Sequence, residues 1–466
     1  MTARWREITA GEIVSALQGA RISGSRKHVF RGLSTDSRQI SQGYLFWALK
    51  GEKYDGHDFA LKAVENGASG LVLERDCPSS ILREEISVIY VQDTLKALGD
   101  LAAWWRAEHH VAVIAVTGSA GKTTTKEMTA SILQLSNETL KSKGNFNNLI
   151  GVPLTLLSLD DRHKAAVLEI AMNRPGEIGR LTEIADPSIG VITNVGKAHL
   201  EGVGDLKGVA RAKVELLEKI SPDALVVLNG DDQLLMEAAS PFNRKKVTFG
   251  LGPKNDLRAD KVQNMGPKGL SFELQYGEKT VAVKLNVPGI QNLFNALAAS
   301  AVAFCLDKPA EQIAEGLRLF RGIQGRFTVS ELAGGATLVD DTYNANPLSL
   351  NAAMQSLKSF VQEKGKLIVG LGEMLELGEE TKRAHFEAGS LVAESGASYF
   401  LAFGDHAQEM VRGAAEKGFP PEKTFVATSH SEMAEKIREL IARDDVVFLK
   451  GSRLTGLDKV VDLLKN

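Results

Sequence analysis

One segment of the chain has the residue types of a phosphate-binding loop: Thr117-Gly118-Ser119-Ala120-Gly121-Lys122-Thr123-Thr124. In such a loop, small residues let backbone N–H groups converge on phosphate oxygens, a lysine supplies a full positive charge and a threonine hydroxyl can hold Mg²⁺. The strict pattern has glycine at position 116, where this chain has Val116, so the alternative is a plain glycine-rich turn between a strand and a helix. We predict a nucleoside-triphosphate site with Lys122 as its cation.

Two further residues could complete a metal site beside this loop. Glu169 closes the apolar run 165–168, and His199 follows an apolar run that ends at Thr193. Ligands collect at the carboxyl ends of parallel strands in open α/β sheets, and both side chains are predicted to lie there. Each also has a structural interpretation, Glu169 as a strand-end carboxylate and His199 as a loop cap.

The elements that must position these residues form an α/β fold with three predicted domains. Residues 1–108 alternate short β-like runs with helical patterns, and we expect Trp104 and Trp105 there to pack in the core. Residues 109–325 begin with the continuous apolar run 111–116, which is typical of a buried parallel strand and predicts a central doubly wound domain. Its segment 245–287 has short strands and glycine turns, which predict an antiparallel edge.

Residues 326–466 repeat the alternation and predict a C-terminal Rossmann-like domain. Strands are expected at 336–339, 366–369, 399–403 and 446–449. Asn346 and Pro347 have the types of an N-cap and first helical residue, followed by a helix with an apolar face.

Composition favours a globular protein and excludes several classes. Of the 466 residues 44% are hydrophobic, and 55 Lys and Arg against 58 Asp and Glu give a net charge of −3, so neither nucleic acid nor an anionic membrane is an expected partner. The uncharged stretch 285–306 holds Asn286, Pro288 and Gly289 and is not expected to span a membrane. Without a secretory signal, and with Cys77 and Cys305 expected as buried free thiols, we expect a cytoplasmic monomer.

At this point the sequence resembles a known family, the Mur ligases, which form amide bonds at the expense of ATP in peptidoglycan precursor synthesis. The phosphate loop is similar to that family's variant loop, whose first glycine sits two residues late. Ser34-Thr35-Asp36-Ser37-Arg38 resembles its UDP-contacting segment, and Gly144-Asn145-Phe146-Asn147-Asn148 resembles its Asn-rich loop.

Three later segments, 169–178, 343–347 and 450–453, are similar to the members that add D-alanyl-D-alanine to a UDP-N-acetylmuramoyl-tripeptide. The Asp-Asn-Pro-Arg motif of the diaminopimelate-adding relative is absent from the sequence. The resemblance implies that ATP phosphorylates the tripeptide carboxylate and that the dipeptide amine then displaces phosphate. Ala171 and Gln291 depart from the family pattern, which commonly has Gly and His there.

The resemblance also implies roles for individual residues. Lys122, Arg326 and Mg²⁺ would neutralise the phosphates, with one ion at Thr123 and Glu169 and a second near His199. Lys213 matches a position at which the family's lysine is carbamylated, and a carbamate, unlike an ammonium group, can ligate a metal. From the residues alone, a surface lysine on a helix is the alternative.

The remaining implied contacts are grouped by substrate. Beside the loop residues Gly118 to Thr124, ATP is expected to contact Asn292 and Asn295 at the adenine and Asp340 at the ribose. The UDP substrate is expected to contact Ser34, Thr35, Arg38, Asn145, Asn147 and Asn148, and the dipeptide Asn344, Asn346 and Ser452. Each of these could instead be a cap or turn residue. We expect the domains to close on the substrates about a hinge near Gly325.

Two other functions compete with this prediction. A nucleotide-binding regulator could keep the fold without amide formation, but this alternative is disfavoured by the presence together of Lys122, Glu169, His199, Lys213 and Arg326. A related ligase could use a different nucleotide-sugar peptide or a glutamyl substrate, and the segments 34–38 and 343–347 disfavour that alternative.

Overall fold

The computed structural model describes residues 2–77, 81, 85–198, 200–361 and 365–466. Within these ranges the chain forms three mixed sheets, each with its own connecting helices, so the predicted α/β class is confirmed.

The first sheet has the strand order β1-β3-β4-β5-β6-β2. Its inner strands β3 to β6 are parallel, and β1 and β2 pair antiparallel at the two edges. The elements are β1 (Thr2–Thr9), α1 (Ala10–Ala16), β2 (Arg21–Ser23), β3 (Val29–Ser34), β4 (Tyr44–Trp47), α2 (Ala60–Glu65), β5 (Ala68–Leu73), β6 (Ser87–Tyr90) and α3 (Thr94–Ala107).

The second sheet has the order β15-β14-β13-β12-β11-β10-β7-β9-β8. Its elements are β7 (Ala112–Thr117), α4 (Lys122–Leu133), β8 (Thr139–Lys141), α5 (Gly151–Leu156), β9 (Ala165–Glu169), α6 (Glu177–Ala185), β10 (Ile189–Ile192), α7 (Leu200–Val203), α8 (Leu206–Lys219), β11 (Leu225–Asn229), α9 (Gln233–Ala239), β12 (Lys245–Gly250), β13 (Leu257–Asn264), β14 (Leu270–Tyr276), β15 (Lys279–Leu285), α10 (Ile290–Cys305) and α11 (Ala310–Leu319).

The antiparallel edge of this sheet is narrower than the sequence predicted. Strand β12 pairs parallel with β11, because α9 carries the chain back across the sheet before β12 begins. Strands β13, β14 and β15 pair antiparallel through tight turns. The uncharged stretch 285–306 mostly forms α10, whose side chains are buried against this sheet. Among the described residues no helix is both long and apolar enough to cross a bilayer.

The third sheet has the order β16-β17-β21-β18-β19-β20, with only the edge strand β16 antiparallel. Its elements are β16 (Thr328–Glu331), β17 (Thr337–Asp341), α12 (Pro347–Leu357), β18 (Leu367–Leu371), α13 (Thr381–Glu394), β19 (Tyr399–Phe403), α14 (Ala407–Glu416), β20 (Thr424–Ala427), α15 (His430–Leu440), β21 (Val446–Lys450) and α16 (Asp458–Lys465). Asn346 caps α12, accepting a hydrogen bond from the Ser349 amide at 2.8 Å, as predicted. Strands β16 and β20 were not predicted, because they are short and only half-buried.

Packing confirms the core position of Trp105, whereas Trp104 is only partly buried against the same core, and the cysteines differ from the prediction in one detail. Trp105 is buried, lies 6.2 Å from Trp5 between ring centres and donates from Nε1 to the Leu159 carbonyl at 3.2 Å, so it is a core residue. Cys77 and Cys305 are free, but both are only partly buried.

Candidate active site

A cleft of about 940 Å³ lies between the carboxyl ends of strands in the second and third sheets. The phosphate loop and Glu169 line one wall, while residues that follow β17 and β21 line the other. Open α/β sheets bind ligands at this edge, so the topology alone makes the cleft the candidate active site.

The phosphate loop joins β7 to α4, as predicted. Two of its positions must be glycine because any side chain there would clash with neighbouring atoms. A Cβ atom on Gly118 would lie 2.0 Å from the Thr193 hydroxyl, and one on Gly121 would lie 2.2 Å from Oδ1 of Asn295. Both glycines also have positive φ angles, +143° and +84°. Asn194 holds the loop from outside, accepting a hydrogen bond from the Ala120 amide at 2.8 Å.

Lys122 bends back over this loop. Its Nζ donates to the Gly118 carbonyl at 2.8 Å. Burial lowers the pKa of Lys122, and the nearby Arg326 lowers it further, whereas Glu169 and Glu376 oppose the shift. Because the ammonium group is held in low dielectric, its attraction for a phosphate is stronger than it would be in water.

Glu169 and Thr123 provide oxygen ligands that fit a divalent cation. The Glu169 side chain is buried, and its Oε1 accepts a hydrogen bond from Nδ2 of Asn147 at 2.9 Å. Oε2 is also buried and has no hydrogen-bond partner among the described residues. A buried carboxylate oxygen without a donor is costly unless a cation or proton satisfies it. These residues therefore fit Mg²⁺.

Lys213 is fully buried in α8, which excludes the alternative of a surface lysine. Its Nζ has no hydrogen-bond partner among the described residues. Burial holds the pKa of Lys213 well below its usual range, and the charge of Lys122 lowers it further. The amine is therefore biased towards its neutral form, which is the form that reacts with carbon dioxide.

Arg326 connects the third sheet to the phosphate loop. Its Nη2 donates to the Thr123 hydroxyl at 3.2 Å, and its guanidinium carbon lies 4.0 Å from the centre of the Tyr343 ring. Its Nε is buried and lacks a hydrogen-bond partner within the described part of the chain. Gly325, beside it, has φ +72° and accepts a hydrogen bond from the Tyr343 amide at 3.0 Å. A hinge there stays a prediction.

The residues predicted at the adenine lie in the cleft wall near the phosphate loop. Asn292 and Asn295 are buried at the start of α10, where Asn295 donates to Oδ1 of Asn292 at 3.3 Å. Gln291 accepts a hydrogen bond from the Ser356 hydroxyl at 2.9 Å, so this departure from the family pattern joins α10 to α12.

The predicted ribose contact, Asp340, does not line the cleft. Its carboxylate accepts hydrogen bonds from the amide and hydroxyl of Thr342 instead. The next residue, Asp341, does line the cleft and contacts Nζ of Lys450 at 2.6 Å. Sequence reasoning missed Asp341 and Lys450, although the alternation of side chains along a strand makes Asp341 an equal candidate.

The residues predicted for the UDP substrate fall in two places. Asn145, Asn147 and Asn148 line the cleft, and Asn148 also accepts a hydrogen bond from the Gly151 amide at 2.9 Å.

By contrast, none of the three residues of the first sheet lines the cleft: Ser34 ends β3, and Thr35 and Arg38 follow it. The exposed Arg38 donates twice to Asp36, at 2.9 Å each, and this hydrogen bonding lowers the pKa of Asp36 to about 2.

The residues predicted at the dipeptide all line the cleft, but two are already engaged. Asn346 caps α12, and the Ser452 hydroxyl accepts a hydrogen bond from the Leu375 amide at 3.0 Å. Asn344 is exposed on the same wall. His199, predicted at a second metal ion, lies outside the described residues.

Family models match three consecutive parts of the chain. They are described as the Mur ligase family catalytic domain at residues 29–106, the Mur ligase middle domain at 116–303 and the Mur ligase glutamate ligase domain at 325–453. The chain belongs to the Mur ligase family. Members of this family are ATP-dependent ligases that form amide bonds, in agreement with a phosphate loop in the cleft.

Two curated relatives of this Mur ligase are similar over nearly their whole length. Both are named UDP-N-acetylmuramoyl-tripeptide–D-alanyl-D-alanine ligase. The protein from Escherichia coli K12 is 36% identical, with 96% of this chain and 95% of the relative covered. The protein from Bacillus subtilis 168 is 34% identical, with 94% of each covered.

Solved structures of similar proteins have the same architecture. MurF from Acinetobacter baumannii matches this Mur ligase with a TM-score of 0.89 and 33% identity, covering 100% of both chains. MurF from Thermotoga maritima, solved in complex with ADP, matches with a TM-score of 0.83 and 28% identity, covering 93% of this chain and 96% of its own.

Proposed function

We propose that this Mur ligase joins D-alanyl-D-alanine to UDP-N-acetylmuramoyl-tripeptide with hydrolysis of ATP to ADP and phosphate. The observation that carries the proposal is the full-length similarity to ligases of that name, combined with a cleft in which a phosphate loop faces residues of the third sheet. The 34–38, 343–347 and 450–453 segments support this substrate pair.

The reaction has two steps, because a carboxylate at neutral pH has no leaving group. The tripeptide carboxylate oxygen attacks the γ-phosphorus of ATP, the bond to the bridging oxygen breaks, and ADP leaves an acyl phosphate behind. The free amine of the dipeptide then attacks the acyl carbon, and the tetrahedral intermediate expels phosphate. The protein mainly positions the reactants and neutralises charge.

Lys122 and Arg326 would neutralise the phosphates in both steps. Lys122 lies on the phosphate loop, and Arg326 lies within hydrogen-bond distance of Thr123 at the start of α4. The two cations would therefore approach the γ-phosphate from opposite sides of the cleft, one from the phosphate loop and one from the segment before β16. Asn292 and Asn295 would contact the adenine, and Asp341 fits the cleft better than Asp340 as the ribose contact.

Mg²⁺ would be held by Thr123 and Glu169, with a second ion near His199 and Lys213. A bound Mg²⁺ neutralises phosphate oxygens and fixes their orientation. The unpartnered Oε2 of Glu169 supports this assignment. The buried Nζ of Lys213, which has no hydrogen-bond partner among the described residues and whose pKa is lowered by burial, supports its conversion to a carbamate, which would give it an oxygen ligand for a metal.

The three predicted domains would divide the substrates among them. We assign the UDP substrate to residues 1–108, ATP to 109–325 and the dipeptide to 326–466, with Ser34, Thr35 and Arg38 at the UDP end and Asn344 at the dipeptide. The first sheet lies apart from the cleft residues, so the long UDP substrate would extend between them. We also infer a cytoplasmic location, since two free cysteines suit a reducing compartment, and we expect a monomer.

Phosphate release from ATP tests the proposal. Release should require both the UDP-tripeptide and D-alanyl-D-alanine, and Lys122→Ala should abolish it, whereas Lys207→Ala, an exposed lysine of α8, should not. Release without either substrate would indicate a plain ATPase. Release with a glutamyl acceptor in place of the dipeptide would favour the related ligase, and nucleotide binding without turnover would favour the regulator.

A further inference from the structure

Four cationic side chains line the cleft within the described part of the chain, and three of them have close polar partners. Lys122 donates to the Gly118 carbonyl, Arg326 to the Thr123 hydroxyl and Lys450 to the Asp341 carboxylate. Arg453 forms no ion pair with any carboxylate of the described residues. Lys122 and Arg326 lack a carboxylate partner as well, but both lie at the phosphate loop and are assigned to the phosphates above. Arg453 is therefore the cleft cation left for a second ligand.

Arg453 occupies a defined place in the wall. It is the first residue of a short helical turn, Arg453–Thr455, that follows β21. Its guanidinium carbon lies 5.1 Å from the centre of the Tyr343 ring, the same ring that Arg326 contacts at 4.0 Å. A cation against an aromatic ring is attracted to it and is held with fewer rotamers than a free arginine. Tyr343 thus positions both guanidinium groups.

The spacing of these two arginines suits a dipeptide. Arg326 lies beside Thr123, where the acyl phosphate would form, so the attacking amine must approach that end. Because both guanidinium groups contact one ring, they are separated by about 9 Å at most, and an extended dipeptide spans about 7 Å. The far end of the dipeptide carries its carboxylate, which would reach Arg453.

The residue next to Arg453 adds an apolar contact. Leu454 lines the same cleft and is 87% exposed, so its side chain is accessible to a ligand beside Arg453. The methyl side chain of a C-terminal alanine, which lies beside its carboxylate, would pack against Leu454. A planar guanidinium group next to an apolar side chain is therefore complementary to a C-terminal alanine.

We propose that Arg453 binds the C-terminal carboxylate of the incoming dipeptide, with Tyr343 positioning its guanidinium group. The proposal rests on the function proposed above and adds the residue that would select a free carboxylate. A guanidinium can donate two parallel hydrogen bonds to a carboxylate, whereas a carboxamide offers one acceptor oxygen and no charge.

The test compares D-alanyl-D-alanine with its C-terminal amide in the wild type and in Arg453→Met. For the wild type, KM should be roughly ten- to a hundredfold higher for the amide. In Arg453→Met, KM for the dipeptide should rise by a similar factor, so that the two compounds become nearly equivalent. Arg453→Lys should retain part of the preference for the dipeptide. The control is Arg383→Met, on the exposed face of α13, which should retain all of it.

Each other outcome has a separate meaning. A wild type that does not distinguish the amide, or an Arg453→Met variant that keeps the full preference, would overturn the assignment of Arg453. A rise in KM for ATP rather than for the dipeptide would assign Arg453 to the nucleotide and also overturn it. If Arg453→Met does not fold, the preference for the dipeptide over its amide in the wild type and in Arg453→Lys still tests the assignment of Arg453. Wild-type enzyme that releases no phosphate with both substrates would instead refute the proposed function.

Discussion

Arg326 donates a hydrogen bond to the hydroxyl of Thr123 across the cleft, over 3.2 Å, although Thr123 lies in α4 beside the second sheet and Arg326 lies just before β16 of the third. The bond joins the segment leading into the third sheet to the first turn of α4. A ligand that binds between the two sheets must therefore accommodate this contact or replace it. The guanidinium is also held over Tyr343, so its position depends on its planar shape as well as on its charge.

We predict that Arg326→Lys lowers the turnover number roughly tenfold to a hundredfold and that Arg326→Ala lowers it further, because lysine keeps the charge but loses the fork and the ring contact. Phosphate release at saturating substrates measures the effect. Arg321→Ala, at an exposed position five residues earlier, is the control. Equal activity of Arg326→Lys and the wild type would show that charge alone is needed.

Lys213 offers a test of carbamate formation. We predict that Lys213→Ala lowers turnover by roughly a hundredfold or more, and that added formate or acetate restores part of it by supplying a carboxylate at the vacated position. Removal of dissolved carbon dioxide should lower the activity of the wild type. Lys207→Ala, on the exposed face of the same helix, should respond to neither treatment. A lack of rescue together with indifference to carbon dioxide would contradict the carbamate.

The buried pair of Lys450 and Asp341 predicts a loss of stability when one partner is removed. Burial lowers the pKa of Lys450 and raises the pKa of Asp341, and the contact between them opposes both shifts. Lys450→Met should reduce the free energy of unfolding by about 3–5 kcal/mol, because it leaves a buried carboxylate without its cation.

Urea denaturation measures this change. Lys62→Met is the matched control, since its exposed Nζ lies 3.2 Å from Glu65 and should contribute less than about 1 kcal/mol. An equal loss of unfolding free energy in both variants would show that removing one partner of the buried pair destabilises the protein no more than removing one partner of an exposed pair.

His385 predicts a dependence of stability on pH. Its ring is buried, its Nδ1 lies 2.7 Å from the Thr381 carbonyl and its Nε2 accepts a hydrogen bond from the Met374 amide at 3.0 Å. Burial lowers the pKa of His385, and the stacked His406 lowers it further, while Glu373 opposes the shift. The folded protein thus favours the neutral ring.

The unfolded chain binds a proton at this residue more readily than the folded protein does. The contribution of the neutral His385 ring to the free energy of unfolding is therefore complete above a pH of about 6.5 and is lost as the pH falls below that value. The urea concentration at the unfolding midpoint of the wild type should decrease when the pH is lowered from about 7.5 to about 5.5. The decrease should be smaller in His385→Gln. His110→Gln, at an exposed histidine, should follow the wild type. Identical pH profiles for all three proteins would exclude His385 as the cause.

The sequence predicted the phosphate loop well, because loop chemistry depends on local residue types and on a strand and helix that adjoin it in the chain. Glu169 could be placed at a strand end for the same reason. The Asn346 cap was predicted from two adjacent residues, and the structure adds the reciprocal bond from its amide to the Ser349 hydroxyl.

Side-chain direction and long-range contacts could not be predicted in the same way. Asp340 and Asp341 are neighbours at the end of β17, and only the pairing of that strand with β21 determines which of them meets Lys450. Ser452 has the right type for a substrate contact, but its hydroxyl accepts from an amide that is distant in the chain. Arg453 became a candidate only when the partners of the other cleft cations were known.

The separate origins of the two cleft walls have a consequence for how this enzyme could diversify. Lys122, Thr123 and Glu169, proposed for the triphosphate and Mg²⁺, lie at the carboxyl ends of β7 and β9, whereas the side chains proposed for the amine lie in the loops after β17 and β21. Mutations in the latter loops could alter the choice of nucleophile while leaving the phosphate loop and Glu169 unchanged. Chimeras that exchange only these loops between relatives would therefore be a natural route to new bond-forming specificities.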